Sequence, residues 1–264
     1  MNVLYNSDRF SLIVGNTLDV LRTLPDKMFD VICTDPPYSP HVHDKLGKEK
    51  RKDGVAPRAV LEFPPMTPEL IMLYAEQYVR LCKGWIISFT DFYNTHRWGL
   101  ALAHYGGAWV RTGSWVKTNP MPQMTGDRPA CGTEDILIGH AEADSKHWDW
   151  NGNGRPATWR GPRDTSGLHP NQKPLWLIQQ LLGMFCPPNA LVLDGFLGSA
   201  TTAVAAVMKQ RVEGEVCPHV ACTKCGRKCA DEYAAPLPEN VRVVGIEGDE
   251  ETAQKALERY AAID

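Results

Sequence analysis

Short apolar runs alternate along this chain with longer stretches in which apolar residues recur at helical spacing. The runs predict strands at about 11–15, 30–35, 84–90, 108–116, 134–140, 190–194 and 241–246. The longer stretches predict helices near 17–24, 67–82, 93–105, 174–186, 199–210 and 250–262. Strands taking turns with helices imply an α/β, doubly wound fold: a mostly parallel sheet with helices on both faces. Such sheets bind ligands at the carboxyl ends of their strands, where the strand order reverses. Strands ending at Asp35, Asp194 and Glu247 would bring three acids to one rim. The last helix ends where another strand should follow, and the first strand of the chain can take that place.

The first of these acids opens Asp35-Pro36-Pro37-Tyr38, directly after the apolar run Phe29-Asp30-Val31-Ile32-Cys33-Thr34. The Asp35 carboxylate and the Pro36 carbonyl can each accept one N–H from an exocyclic amino group, while the Tyr38 ring stacks on the flat ring that carries it. Proline has no N–H and a fixed φ, so such a loop keeps its shape and its carbonyl stays aimed. Asp-Pro and Pro-Pro pairs also punctuate ordinary loops, so the motif needs companions.

The strongest companion is Leu191-Val192-Leu193-Asp194-Gly195-Phe196-Leu197-Gly198-Ser199-Ala200-Thr201-Thr202. It reads as a buried strand, a tight small-residue turn and a helix opening with Ser and Thr. Such a turn lets backbone N–H groups and the helix N-terminus approach a ligand closely, and a strand-end carboxylate can bind a cationic amine. Further on, Val241-Arg242-Val243-Val244-Gly245-Ile246-Glu247 is a second apolar strand ending in an acid, as needed to hold the two hydroxyls of a ribose.

Together these residues resemble the amino-methylating DNA methyltransferases that use S-adenosylmethionine. Asp35-Pro36-Pro37-Tyr38 is similar to their catalytic motif, Leu193–Thr202 to their methionine-binding motif, and Gly245-Ile246-Glu247 to their ribose-binding strand. His169-Pro170-Asn171-Gln172-Lys173-Pro174 resembles the segment before the methionine motif, and Leu12-Ile13-Val14-Gly15-Asn16 with Leu18–Leu21 resembles the lead-in to the catalytic strand. The runs Trp115–Pro122 and Glu134–Ile138 resemble later strands. The catalytic motif precedes the cofactor motif, which is the order of the family's β class. The resemblance therefore implies a Rossmann-like methyltransferase fold with circularly permuted motifs. It assigns catalysis to Asp35, Pro36, Pro37 and Tyr38, and S-adenosylmethionine binding to Asn16, Lys173, Asp194, Phe196, Gly198, Ser199, Thr201, Thr202 and Glu247.

The same resemblance implies double-stranded DNA as the partner, entered by flipping the target base out of the stack. It implies a monomer or homodimer, bacterial or phage-encoded, of the kind found in restriction–modification. Asp as the first motif residue and the run Lys117–Pro122 are similar to adenine-specific members, which favours N6 of adenine, with N4 of cytosine the alternative. A non-catalytic DNA-binding relative should have lost the strand-end acids. A protein or RNA amino methyltransferase usually starts the motif with Asn and places it after the cofactor strands. Three positions depart from the pattern: Asn16 stands where Asp is usual, Gly195 where Pro is usual, and Ala200 where Gly is usual.

Composition changes this picture little. A chain of 264 residues suffices for one α/β domain, 1–264, with a DNA-recognition segment expected at 141–168 and a Cys-rich insertion at 211–240. No run of apolar residues is long enough to span a membrane, and the N-terminus has no secretory signal, which predicts a cytoplasmic protein with no membrane partner. A net charge of -3 leaves any DNA affinity to local patches. One comprises His41, His43, Lys45, Lys48, Lys50, Arg51, Lys52 and Arg58, or else is a solvated loop. The other, from His147 to Arg163, interleaves Trp148, Trp150 and Trp159 with Arg155, Arg160 and Arg163; exposed tryptophans there are costly without a partner or a local core.

Of the 8 cysteines, Cys33, Cys82, Cys131 and Cys186 sit in apolar contexts and read as reduced core residues. Cys217, Cys222, Cys225 and Cys229 crowd together with His219 among them. Four thiolates can close a tetrahedral structural zinc site, with His219 the substitute ligand, although only one Cys-x2-Cys arm is present. The Cys-x4-Cys-x2-Cys spacing also occurs in iron–sulfur proteins, and free cysteines remain the plain alternative.

Overall fold

The computed structural model describes residues 2–42, 64–144, 148, 150–164, 172–208 and 237–263. The strands are β1 (Asn2–Asn6), β2 (Phe10–Val14), β3 (Val31–Thr34), β4 (Trp85–Thr90), β5 (Ala108–Lys117), β6 (Thr133–His140), β7 (Thr158–Gly161), β8 (Leu191–Asp194) and β9 (Arg242–Glu247). The helices are α1 (Thr17–Thr23), α2 (Pro68–Leu81), α3 (Phe92–His104), α4 (Leu175–Phe185), α5 (Thr201–Val207) and α6 (Glu250–Ala261). Among the described residues the strands form one sheet in the order β1-β2-β9-β8-β3-β4-β6-β5-β7.

The centre of that sheet, β2-β9-β8-β3-β4, is parallel throughout. Every residue of β3 and β4 is buried, which is why these strands read as unbroken apolar runs and not as alternation. Their side chains still divide by period two. Val31, Cys33, Ile87 and Val192 face a core with α4, α5 and α6, whereas Ile32, Ile86 and Leu193 face another with α1, α2 and α3. Burying each such aliphatic side chain contributes about 1.5–3 kcal/mol, so the two-sided centre is the rigid part on which the rim is built.

The expected return of the first strand is observed: β2 lies parallel to β9, Phe10 opposite Val243 and Val14 opposite Glu247. Two strands were not legible. Asn2–Asn6 forms an edge strand antiparallel to β2, with no buried residue to give it a pattern. Thr158–Gly161 pairs parallel with the C-terminal half of β5, so part of the segment expected to face DNA is the far edge of the sheet. Beyond β4 the pairs β4–β6 and β6–β5 are antiparallel, because β5 and β6 are joined by a loop with no crossover helix.

The expectation of three exposed tryptophans is corrected here. Trp159 is 3% exposed, and its ring fills the space beside Gly113, where a Cβ would come within 2.7 Å of it. Trp148 and Trp150 pack against the same core, Trp148 against Trp85 and His140 and Trp150 against Phe185. The tryptophans supply a local core for this glycine-rich stretch, while Arg160 remains exposed. No helix among the described residues is long and apolar enough to cross a membrane.

Candidate active site

Strand β3 ends at Thr34, and the chain turns outward at Asp35 through buried Pro36. The turn is held from behind. Asp91, the cap of α3, accepts from the backbone N–H of Tyr93 at 2.9 Å and Asn94 at 3.2 Å through one oxygen and from Ser39 N–H at 2.6 Å through the other. The Met66 N–H donates to the Tyr38 carbonyl at 2.9 Å.

Four charges meet at this tip. Lys173 Nζ lies 2.7 Å from Asp35 Oδ2 and 2.8 Å from Glu134 Oε1. Lys117 Nζ lies 2.8 Å from Glu134 Oε2. Tyr38 donates to Glu134 Oε1, and Lys173 donates to the Tyr38 hydroxyl at 3.1 Å. Topology explains the meeting. Because β6 runs antiparallel, its second residue Glu134 reaches the rim to which β3, β4 and β5 deliver their C-terminal ends, with Asp135 opposite Thr90.

The Asp35 side chain is 30% exposed, yet its Oδ1 is buried with no hydrogen-bond partner. Its opening to the rim is thus on the Oδ2 side, where Lys173 sits. Burial raises the Asp35 pKa above the usual carboxylate range, and Lys173 pulls against that rise. Burial also works to raise Glu134, but the ammonium groups of Lys173 and Lys117 outweigh it and bring its pKa down to about 2. Lys173 is held well above its ordinary value: burial opposes its charge, but Asp35 and Glu134 overcome that. The Tyr38 hydroxyl is likewise raised, by burial first and then by the adjacent carboxylates.

A second cluster lies at the ends of β8, β9 and β2. Asp194 accepts from Thr34 Oγ1 at 3.0 Å, Thr202 Oγ1 at 2.6 Å and Phe196 N–H at 3.2 Å. Burial raises its pKa to about 6 against the pull of these donors. Its carboxylate therefore ties β3, the turn and α5 together rather than reaching outward. Thr17 Oγ1 donates to the Gly195 carbonyl at 2.9 Å. Gly198, at φ +52°, donates its N–H to Glu247 Oε2 at 2.8 Å, and Asp249 N–H donates to Oε1 at 3.1 Å. Each Glu247 oxygen keeps a lone pair for a further donor. Ala200 holds the left-handed conformation at φ 58°. Asn16 is exposed and caps α1, accepting from Asp19 N–H at 3.3 Å.

The structure thus brings Asp35 and Tyr38 together on one side, and Asp194, Phe196, Gly198, Ser199, Thr201, Thr202, Glu247 and Asn16 on the other. The Thr34–Asp194 hydrogen bond joins the two halves. Lys173, grouped by sequence with the cofactor residues, lies on the Asp35 side. Sequence reasoning missed Glu134 and Lys117, although both stand at strand ends on this rim. It also missed Arg259 of α6, whose Nη1 donates to the Ser199 carbonyl at 2.7 Å and to Thr201 Oγ1 at 3.0 Å. Two apolar features of the rim were missed as well: Phe92, 71% exposed just after Asp91, and Met124, 87% exposed in the loop between β5 and β6.

Several expectations lie outside the described residues: His43 to Arg58 of the first basic patch, His147, the segment His169-Pro170-Asn171, and Cys217, His219, Cys222, Cys225 and Cys229. Among the described residues, no group of three or more His, Cys, Asp or Glu is placed to hold a metal ion. Cys33, Cys82 and Cys186 are buried free thiols as expected, whereas Cys131 is exposed.

The model of a family of N6/N4 methyltransferases, described as DNA methylase, matches residues 29–258. The chain is 27% identical over 207 residues to a putative methylase, YubD, of Escherichia coli (strain K12), covering 75% of this chain and 80% of that one. It is 24% identical over 225 residues to the type II methyltransferase M2.DpnII of Streptococcus pneumoniae, covering 76% and 82%. Among solved structures it is similar to the M1.HpyAVI–SAM complex, with TM-score 0.61, 20% identity and coverage of 95% and 99%. It is similar also to the PvuII DNA methyltransferase, described as cytosine-N4-specific, with TM-score 0.67, 14% identity and coverage of 98% and 89%. At such identities these structural likenesses bear on the fold.

Proposed function

The chain belongs to the family of DNA methylases that modify exocyclic amino groups, N6 of adenine or N4 of cytosine, and from that membership we propose that it transfers a methyl group from S-adenosylmethionine to N6 of adenine in double-stranded DNA. The observation that carries this reading is Asp35: a strand-tip carboxylate with an unsatisfied oxygen, one hydrogen-bonded step from the turn that would hold the donor.

The residues present fit that donor. Glu247 has acceptor capacity for ribose hydroxyls, and the half-buried Phe196, Gly198 and Ser199 of the turn lie beside it between β8 and α5. S-adenosylmethionine supplies an electrophilic methyl group on a sulfonium; the rest of the chemistry falls to the protein. An aromatic amine is a poor nucleophile because its lone pair is delocalised into the ring. Hydrogen bonds from its two N–H groups to Asp35 and the Pro36 carbonyl would turn the lone pair toward the methyl group and stabilise the positive charge that develops on nitrogen. In-line displacement makes alignment a large part of the barrier reduction. The methylated nitrogen then sheds one proton, and Asp35, its basicity increased by burial, is the acceptor in contact. Tyr38 offers a stacking face to an extruded base. The exposed Phe92 and Met124 suit the stacking surfaces opened when a base leaves the duplex.

Support for adenine comes from Asp35 as the first motif residue and from the run Lys117–Pro122. N4 of cytosine presents the same amino geometry and is the second reading. Methylating duplex DNA with the purified protein, digesting it to nucleosides and weighing the product decides between them: N6-methyladenine is expected, and N4-methylcytosine alone would overturn the first reading. Zinc on Cys217, Cys222, Cys225 and Cys229 is proposed from spacing alone, and metal analysis well short of one equivalent per chain would end it.

A further inference from the structure

Lys173 has no place in the chemistry above, yet it is the most heavily engaged side chain at the tip. Its side chain is only 10% exposed, and its ammonium touches Asp35, Glu134 and Tyr38 at once and lies 4.9 Å from the Phe89 ring centroid. A buried ammonium is retained at such a cost only where its partners hold it.

We propose that Lys173 is a positioning residue of the transfer step: it clamps Asp35 through Oδ2 as an anion and yields to the incoming amino group by shifting onto Glu134 and Tyr38. The inference rests on the function proposed above and deepens it. Three observations carry it. Lys173 covers Asp35 on the side open to the rim, while Oδ1 is left without any donor. The carboxylate torsion of an aspartate is soft and two-fold, so either oxygen can turn toward the incoming N–H once Lys173 lets go. Glu134 and Tyr38 stand ready as alternative partners, so releasing Asp35 does not strand a buried charge. Behind them Lys117 balances Glu134, which keeps Glu134 from drawing Lys173 away entirely.

The groups facing Asp35 set the sign of the test. Lys173, from the segment before α4, and Lys117, at the end of β5, favour its ionised form. The Tyr38 hydroxyl also favours it by hydrogen bonding, whereas Glu134 of β6, Asp194 at the end of β8 and Asp91 after β4 oppose it, and Cys33 is an uncharged thiol. Lys173→Met keeps the side-chain length and removes the charge. An opposite charge at this range is worth roughly 1–3 pH units. The acidic limb of the kcat/KM profile is therefore expected to move up by about that much, and single-turnover methylation at a pH on that limb to fall about tenfold or more, with recovery as the pH is raised. Glu134→Gln should move the limb the other way, and Lys173→Arg should restore it partly.

The 13C shift of the Asp35 carboxyl carbon, followed in the free protein, reads the same displacement without turnover. An unmoved Asp35 titration in folded Lys173→Met protein overturns the proposal. So does a weakened affinity for S-adenosylmethionine with the limb unmoved, which would return Lys173 to the cofactor. A wild-type protein that methylates no DNA defeats the proposed function instead, and leaves the carbon titration to judge Lys173.

Discussion

The two halves of the rim are built from different materials. The catalytic tip is ionic: Asp35, Lys173, Glu134 and Lys117 form a row of alternating charges within hydrogen-bond range. The cofactor side is held by neutral donors: Thr34, Thr202 and the Phe196 N–H on Asp194, the Gly198 and Asp249 N–H groups on Glu247, and Thr17 on the Gly195 carbonyl. Arg259, on the turn at Ser199 and Thr201, is the one cation placed there among the described contacts. Charges in a row set the ionisation of Asp35, the group that the proposed reaction would bring to the amine, so that half suits a reaction. Neutral pins fix backbone shape, so the other half is tuned for a fit. Removing one residue from each half should separate rate from binding.

The hardest break is Asp35→Ala. Removing an electrostatic group aimed at developing charge costs on the order of 10²–10³ in rate or more. Methyl transfer should fall by at least that factor, while S-adenosylmethionine binding, read by calorimetry, stays within about twofold. Loss of both together would mean that the halves are not separable as described.

Acid sharpens the contrast, because it acts on Glu134 in one half and on Asp194 in the other with opposite sign. Glu134, held at about 2 against a reference of 4.5, contributes stability that is present above pH 4.5 and lost as the pH falls toward 2. Asp194, raised to about 6 against a reference of 3.8, is the reverse case. The folded chain binds the extra proton between those values, so its contribution is present below about pH 4 and lost as the pH rises through 6. That loss amounts to about 3 kcal/mol. Asp194→Asn should therefore flatten the fall in urea-unfolding free energy between pH 4 and 7. An unchanged slope would show that Asp194 is not the group responsible.

A smaller effect is expected from Thr202→Val, which keeps the shape and deletes the donor to Asp194. An unsatisfied buried acceptor costs about 1–3 kcal/mol. The loss should appear in stability and in S-adenosylmethionine affinity, with the rate at saturating cofactor little changed. A rate that fell as far as the affinity would place Thr202 in the chemistry.

Legibility followed the same division. Asp35, Asp194 and Glu247 could be placed on one rim because each closes a buried apolar run, and strand ends in parallel sheets share an edge. The return of Phe10–Val14 to β9 followed from a helix that lacked a strand after it. The ionic row was not legible, since Glu134 and Lys173 meet Asp35 only across the sheet, at separations that no local pattern encodes. Thr158–Gly161 escaped because four residues among glycines, prolines and arginines carry too little periodicity, and its tryptophans looked exposed until a partner strand was supplied. A capping asparagine such as Asn16 can signal a ligand or a helix start, and its own residue type does not say which.

The smallest break concerns Ala200, where the related pattern usually has glycine. Its φ of 58° places a non-glycine residue in the left-handed region, which costs about 1–2 kcal/mol. The methyl that causes the strain is fully buried in the core shared by α5 and β8, and contributes about 0.8 kcal/mol by its burial. Ala200→Gly removes both, so relief of strain should exceed lost burial by a few tenths of a kcal/mol up to about 1 kcal/mol. The unfolded chain gains freedom from a glycine, which subtracts from that difference. The terms nearly cancel, so a midpoint within about 3 °C of the parent, in either direction, is expected. Affinity for S-adenosylmethionine should hold, because the neighbouring Gly198 and Glu247 contact is untouched. A fall in stability of several kcal/mol would show that the Ala200 methyl, rather than the hydroxyl pins on Asp194, holds the turn in shape.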